Sequence, residues 1–166
     1  VYPQGFWIHG KVGGPDAWTQ VVAEDGVEIR GSEVRKDFKR DSEREGVYWT
    51  RRPQLFPNWW QKPETKLTNR PELVFANGKR LGQVTQKAML RPKNLFYVDD
   101  KSDRLYVCLE GGQDPNRHNV EVAVKTWAIA IGIPPNQNWW KDPKLGEKHQ
   151  VSHVRVSGFR VRHIGN

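Results

Sequence analysis

The chain of 166 residues can form one ordinary domain, or a small domain with part of another. Only 36% of its residues are hydrophobic, and no run approaches the roughly 20 apolar residues that span a bilayer, so we expect no membrane partner. The single cysteine, Cys108, excludes an internal disulfide framework, and its apolar neighbours favour a packed thiol. This scarcity of cysteine fits a secreted or periplasmic protein of the bacterial exported type.

The net charge of +8 raises the question of a polyanionic partner. The positive residues are scattered, and the densest stretch, 35–45, interleaves both signs as solvated surfaces do. Attraction to an acidic polysaccharide would use the same electrostatics as attraction to nucleic acid. The charge therefore favours a polyanion without choosing its class, and nucleic acid is the less favoured partner.

The first segment alternates short strands with turns. Residues 6–10, 19–23 and 27–31 read as strands, and the glycine-rich stretch 11–17 and residues 24–26 between them read as turns. This spacing is what the first coil of a stacked parallel β-helix needs. We assign 1–45 to the first coil or coils.

From residue 46 the pattern changes to that of an antiparallel β-domain. After a proline-rich stretch, 72–76 reads as a strand, and Asn77 with Gly78 is a strong hairpin signal before the returning segments 79–81 and 83–85. A second hairpin is expected from 95–98 and 104–109, and a further strand at 120–124. No amphipathic helical period appears, so the sequence predicts an all-β chain with a sandwich-like insertion at 46–126.

Residues 127–166 are expected to return to β-helix coils. Segments 27–34 and 154–161 share a pattern of apolar alternation, a glycine (Gly31 or Gly158) and a resumed strand, which predicts equivalent corners of two coils. A stable stack needs roughly three or more repeats. We therefore expect a truncated solenoid that self-associates through its open edge.

The tryptophans give the main binding-site prediction. Two Pro-rich stretches carry the sequence Asn-Trp-Trp, and indole faces stack on pyranose rings while nearby amides bond hydroxyls. The alternative is that one indole of each pair packs beneath its loop as an anchor. The predicted ligand-binding residues are Trp59, Trp60, Trp139, Trp140, Trp49, Tyr48 and Asn58.

The polar residues give weaker signals. Asp99, Asp100 and Asp103 fit a tight turn, with a weak Ca²⁺ site as the alternative. Glu110 with Asp99 or Asp100 would be the carboxylate pair of a complete small glycosidase, a less favoured interpretation. His163 is expected to be a satisfied core or coil-lining residue. We assign no catalytic residue, no metal ligand and no cofactor.

Four blocks, 6–17, 71–81, 96–107 and 154–166, together resemble the N-terminal region of right-handed parallel β-helix proteins of the carbohydrate-active kind, including glycoside hydrolases and pectin-lyase-like enzymes. Residues 75–81 match their pattern Phe-x-Asn-Gly-x-x-Leu, and 112–116 match Gly-x-Asp-Pro-Asn. The resemblance implies an early coil interrupted by a β-sandwich-like insertion, with catalytic carboxylates on later coils that nothing here matches.

The resemblance also implies a function. The chain would be the glycan-contacting part of an exported polysaccharide-degrading protein, a hydrolase or lyase, with a polysaccharide or oligosaccharide as partner. Two alternatives stay open: a structural cap without a ligand, and a polyanion-binding protein whose affinity falls steeply with salt.

Overall fold

The computed structural model describes residues 6–10, 12–53, 72–125, 127–132, 144 and 151–164. These residues form an all-β fold, as the period-2 alternation predicted. Single-turn 3-10 helices connect some of the strands at Lys87–Met89, Glu110–Gly112 and Pro115–Arg117. No helix among the described residues is long and apolar enough to cross a membrane.

The chain divides into two units. The first contains Val1–Gly31 and Trp127–Arg162, and the second contains Ser32–Thr126 and His163–Asn166. Residues 32–45, assigned to the first coil from sequence, belong to the second unit in the structure. The reason is pairing: their strands join the sheets of the second unit.

The described residues of the first unit form three parallel strand pairs. Each early strand pairs with a late strand, and the three pairs occur in the same order along both segments of the chain. The pairs are β1 (Phe6–Ile8) with β13 (Ile129–Ile131), β2 (Thr19–Val22) with β14 (Val154–Ser157), and β3 (Glu28–Arg30) with β15 (Arg160–Arg162).

The two glycine corners predicted to be equivalent are not equivalent in the structure. Val161, near the end of the second copy, pairs with Ile29, near the start of the first, and β14 pairs with β2 instead. Gly158 joins β14 to β15 with a φ of 83°, whereas Gly31 is not left-handed and is the last residue before the second unit. The shared pattern is local, and it does not report which strands lie side by side.

The described strands of the second unit form two sheets. Sheet A has the order β5 (Lys39–Arg40), β6 (Tyr48–Arg51), β11 (Arg104–Cys108), β10 (Leu95–Asp99) and β9 (Gly82–Val84). Sheet B has the order β4 (Ser32–Arg35), β12 (Val120–Ala123), β7 (Val74–Ala76) and β8 (Lys79–Arg80). Neighbours are antiparallel except β9 and β10, which are parallel.

Alternate residues of both sheets form the main core of this unit. Because successive strand residues point to opposite faces, every second residue of β10, β11 and β12 is apolar and buried. The buried core residues are Phe38, Val74, Leu81, Phe96, Val98, Leu105, Val107, Leu109, Val120 and Val122.

Both hairpin predictions are confirmed. Asn77 and Gly78 have φ values of 49° and 79°, the left-handed pair that a two-residue turn between β7 and β8 requires. The sequence did not predict that the chain then changes sheets. Leu81 enters the core, and β9 joins sheet A beside β10 instead of continuing the hairpin.

A buried carboxylate organises the other face of sheet B. Glu121 is 2% exposed and accepts hydrogen bonds from Ser32 Oγ at 2.7 Å and Asn119 Nδ2 at 3.0 Å. His163 Nδ1 lies 2.9 Å from Glu121, and its ring stacks on Phe75 with centroids 3.8 Å apart. Burial of this carboxylate is tolerated because its oxygens have these partners.

Candidate functional site: the outer face of sheet A

The structure separates the predicted binding residues. Trp59, Trp60, Asn58, Trp139 and Trp140 lie outside the described residues. The remaining two predicted residues are neighbours on β6 and therefore point to opposite faces of sheet A.

Tyr48 and Trp49 consequently have different roles in the fold. Tyr48 packs against the core between the sheets. Trp49 lies on the opposite face, which we call the outer face of sheet A, and packs against a smaller cluster that contains Val47, Leu90 and Tyr106. Only Trp49 of this pair lies on a face turned away from sheet B.

The outer face carries a row of aromatic side chains. Trp49, Tyr106 and Tyr97 are directly opposite one another on β6, β11 and β10. The rings of Tyr97 and Tyr106 have centroids 6.1 Å apart and planes 27° apart. Tyr106 is only 4% exposed, so the middle of the row is packed, and the partly buried Trp49 and Tyr97 are its accessible ends.

Lys87 covers the middle of this row. Its Nζ lies 4.8 Å from the centroid of the Tyr106 ring and donates to Asp41 Oδ1 at 3.1 Å and Glu43 Oε2 at 2.8 Å. Burial of the ammonium lowers its pKa, but the hydrogen bonds to Glu43 and Asp41 outweigh burial and hold the pKa above its ordinary value. Lys87 therefore lies over Tyr106 as an ammonium whose charge is balanced by two carboxylates.

Trp49 stands between two cations. Lys39 Nζ, from β5 on one side, lies 5.3 Å from the indole centroid, and Arg104 Cζ, from β11 on the other side, lies 3.9 Å from it. Both distances fall within the range of cation–π attraction. The indole thus holds positive charge in place on the outer face.

These two cations differ from their neighbours in their electrostatic partners. Arg51, two residues along β6, is paired with Asp103 at 3.3 Å, and Lys87 is paired with two carboxylates. Within the described part of the chain, Lys39 and Arg104 form no ion pair, and their interactions are those with Trp49. The face therefore presents two positive charges that form no ion pair with a described carboxylate.

The three aspartates of the weak Ca²⁺ prediction have separate partners. Asp99 accepts from Lys101 N at 3.0 Å and Ser102 Oγ at 2.6 Å, which is turn geometry. Asp100 accepts from an arginine and Asp103 pairs with another. Among the residues that the structure describes, no group of three or more acidic, His or Cys side chains is placed to hold a metal ion.

The rival glycosidase pair is not brought together. Asp99 lies at the turn end of the hairpin opposite Arg104, whereas Glu110 follows the other end of β11 and bonds Asn94. The strand between them is about 13 Å long at the usual rise per residue. Glycosidase carboxylates lie about 5–9.5 Å apart, so Asp99 or Asp100 with Glu110 does not form such a pair.

Cys108 is a packed residue. It is 1% exposed and lies in the same cluster as Tyr106 and Leu90. Burial raises the pKa of its thiol, with Arg44 acting weakly in the opposite direction. A buried thiol with a raised pKa is inert, as the sequence predicted.

The first unit contains an apolar cleft of about 420 Å³. It is lined by residues of β2 and β3 and by Phe6 and Phe159, whose ring centroids are 5.3 Å apart. Glu24 is the one charged residue of the lining. Its described lining has one charged side chain, whereas the outer face of sheet A combines aromatic rings with several charged groups and is the stronger candidate for a sugar site.

The sequence predicted Trp49 as a candidate binding residue but did not predict Lys39 or Arg104. The three residues are on separate strands, and 65 positions of the chain separate Lys39 from Arg104. The available signal was the alternation of Arg104, Tyr106 and Cys108 on one side of β11. That alternation shows a shared face without showing what lies beside it.

Comparison with known proteins gives one structural neighbour and no family. No protein-family model matches the chain, and no curated protein matches it. Among solved structures, the complex of XylC with xylose matches 99% of this chain with 18% identity and a TM-score of 0.60. This chain spans only 28% of the length of XylC, and at such low identity the match supports an all-β fold alone.

Proposed function

We propose that this chain is the glycan-contacting part of an exported polysaccharide-degrading protein, a glycoside hydrolase or lyase of the right-handed parallel β-helix kind. The observation that carries the proposal is the match of nearly the whole chain to part of a protein solved with bound xylose. The aromatic row on sheet A supports it, because aromatic faces are suited to pyranose rings.

The three parallel pairs support the β-helix part of this proposal. In two successive coils, the first, second and third strands of one coil lie parallel to the first, second and third strands of the next. The strand pairs of the first unit have this arrangement. Within the described residues each of these strands pairs with one neighbour only. The proposal assigns catalysis to further coils of the whole protein and binding to this region.

For this chain on its own we also propose self-association, because each described strand of the first unit pairs with one neighbour and its unpaired backbone groups can template further pairing. We expect a concentration-dependent increase in mass by sedimentation velocity, and Val161→Lys on β15 is expected to reduce it. Val161 and Val34 are similarly exposed, at 46% and 49%, and Val34 is in the second unit, so Val34→Lys is the matched control. Equal effects of the two variants, or a constant mass, would argue against the open edge.

The binding proposal is tested by tryptophan fluorescence during titration with neutral and acidic oligosaccharides. We expect a saturable change that Trp59→Ala or Trp139→Ala weakens by about 5- to 150-fold, as stacking on one aromatic ring is worth roughly 1–3 kcal/mol. Trp127 packs edge-on against Trp7 at 5.2 Å, so Trp127→Phe is a control that removes an indole already engaged in packing.

The remaining outcomes distinguish the alternatives. No response to any glycan would leave a structural cap. If the protein binds every polyanion tested at low salt and loses all of them at high salt, it is a general polyanion-binding protein.

A further inference from the structure

We propose that the outer face of sheet A binds an acidic glycan, with Arg104 as the residue that receives a uronic acid carboxylate. This inference rests on the proposed function and names the class of glycan. The guanidinium carbon of Arg104 lies over the Trp49 ring, 3.9 Å from the indole centroid.

The position of Arg104 over the indole suits it to a planar anion. A guanidinium has its N–H donors around its edge, so an aromatic ring against its face leaves those donors available. A carboxylate can accept two parallel hydrogen bonds from this edge. The indole also restricts the side chain before the ligand arrives, which reduces the entropy lost on binding.

Lys39 supplies a second positive charge at the same indole. It lies on β5, is exposed, and its Nζ is 5.3 Å from the Trp49 centroid. Neither cation forms an ion pair with a described carboxylate, so both charges can attract an anion that approaches Trp49. A uronate ring combines a carboxylate with a pyranose face in one sugar residue.

The surrounding charges favour isolated carboxylates over a phosphate backbone. Arg51 is paired with Asp103, Lys87 is paired with Asp41 and Glu43, and Asp99 lies opposite Arg104 at the end of the hairpin. On this face, Lys39 and Arg104 at Trp49 are therefore positive charges that form no ion pair with a described carboxylate. A nucleic acid is bound by a row of unpaired cations that follows its phosphate backbone. On this face carboxylates lie between the cations, so such a row is interrupted.

The experiment compares a charged and an uncharged form of one ligand. The probes are a xylo-oligosaccharide with a glucuronate branch, its methyl ester, and the unbranched oligosaccharide, each followed by tryptophan fluorescence and calorimetry. We expect Arg104→Gln to weaken binding of the acid at least about tenfold, because charged hydrogen bonds are lost, and to leave the ester unchanged.

Further variants separate the effect of the planar guanidinium donors of Arg104 from the effect of its charge. Arg104→Lys keeps the charge without the planar fork, so we expect a smaller loss than with glutamine. Arg80→Gln removes an exposed cation from sheet B and controls for net charge. Should Arg104→Gln fail to fold, Lys39→Gln tests the same patch from the neighbouring strand.

Each other outcome has a definite meaning. Equal affinity of the wild type for acid and ester, or no loss in Arg104→Gln, overturns the inference while glycan binding itself upholds the proposed function. An oligonucleotide that competes as well as the acidic glycan also overturns the inference, because it shows that the site is a general anion site. Failure of all three oligosaccharides to bind overturns both.

Discussion

Replacement of Arg52 by methionine is expected to lower the free energy of unfolding by about 3–5 kcal/mol. Arg52 Nη2 lies 2.6 Å from Glu72 Oε1 and Nη1 lies 2.6 Å from Asp100 Oδ1. The side chains of Arg52 and Glu72 are only 12% and 1% exposed. Methionine leaves two carboxylates without the guanidinium that offsets their charge, and water cannot replace it at Glu72.

The neighbouring residue supplies the control. Arg51 pairs with Asp103 at 3.3 Å, but these side chains are 78% and 56% exposed, so Arg51→Met is expected to cost at most about 1 kcal/mol. The measurement is urea unfolding of both variants, followed by circular dichroism. Similar losses in the two variants would contradict a special role for the buried pair. A partial recovery in Arg52→Met with Glu72→Leu would support it, because the buried charge is then removed.

The parts of the fold that the sequence predicted are those set by neighbouring residues. The turn at Asn77 and Gly78 requires left-handed backbone, and few residues other than these adopt it. The β10–β11 hairpin likewise joins strands separated by a short turn. In both cases the pairing partner is local, so the pattern contains the information needed.

The parts that the sequence did not predict depend on distant pairing. Ser32 pairs with Ala123, and Lys39 with Trp49 beside a strand that begins at Arg104. Alternation shows that such segments are strands but not which sheet they join. The assignment of 32–45 to the first coil, and of β9 to a hairpin return, differed from the structure for this reason.

The candidate site shows the same division. An aromatic residue in a strand is visible in the sequence, so Trp49 could be named as a candidate, and strand alternation alone would have separated it from Tyr48. The cations at Trp49 arrive from β5 and β11. Their proximity is a product of sheet order, which only the structure supplies.

The second large effect is expected at a glycine of the first unit. Gly158 has a φ of 83°, and a Cβ at this position would lie 2.7 Å from the carbonyl oxygen of Ala23 and 3.3 Å from its nitrogen. An L side chain in left-handed backbone costs about 1–2 kcal/mol, and displacement of packed neighbours typically costs a further 1–3 kcal/mol or so. Gly158→Ala must also move backbone that pairs β2 with β14, because Ala23 N donates to Ser157 O at 2.9 Å.

Gly26 isolates the contribution of the contact with Ala23. Its φ is 80°, and a Cβ there would meet no atom within 4 Å, so Gly26→Ala is expected to cost only the backbone term. Hydrogen exchange by NMR should show lost protection at Ala23 in Gly158→Ala and retained protection there in Gly26→Ala. Amides of β10 and β11 belong to the second unit and should be unchanged in both variants. Equal protection of Ala23 in the two variants would contradict the close contact between Gly158 and the backbone of Ala23. It would also argue against the proposal that β2 and β14 belong to adjacent parallel coils.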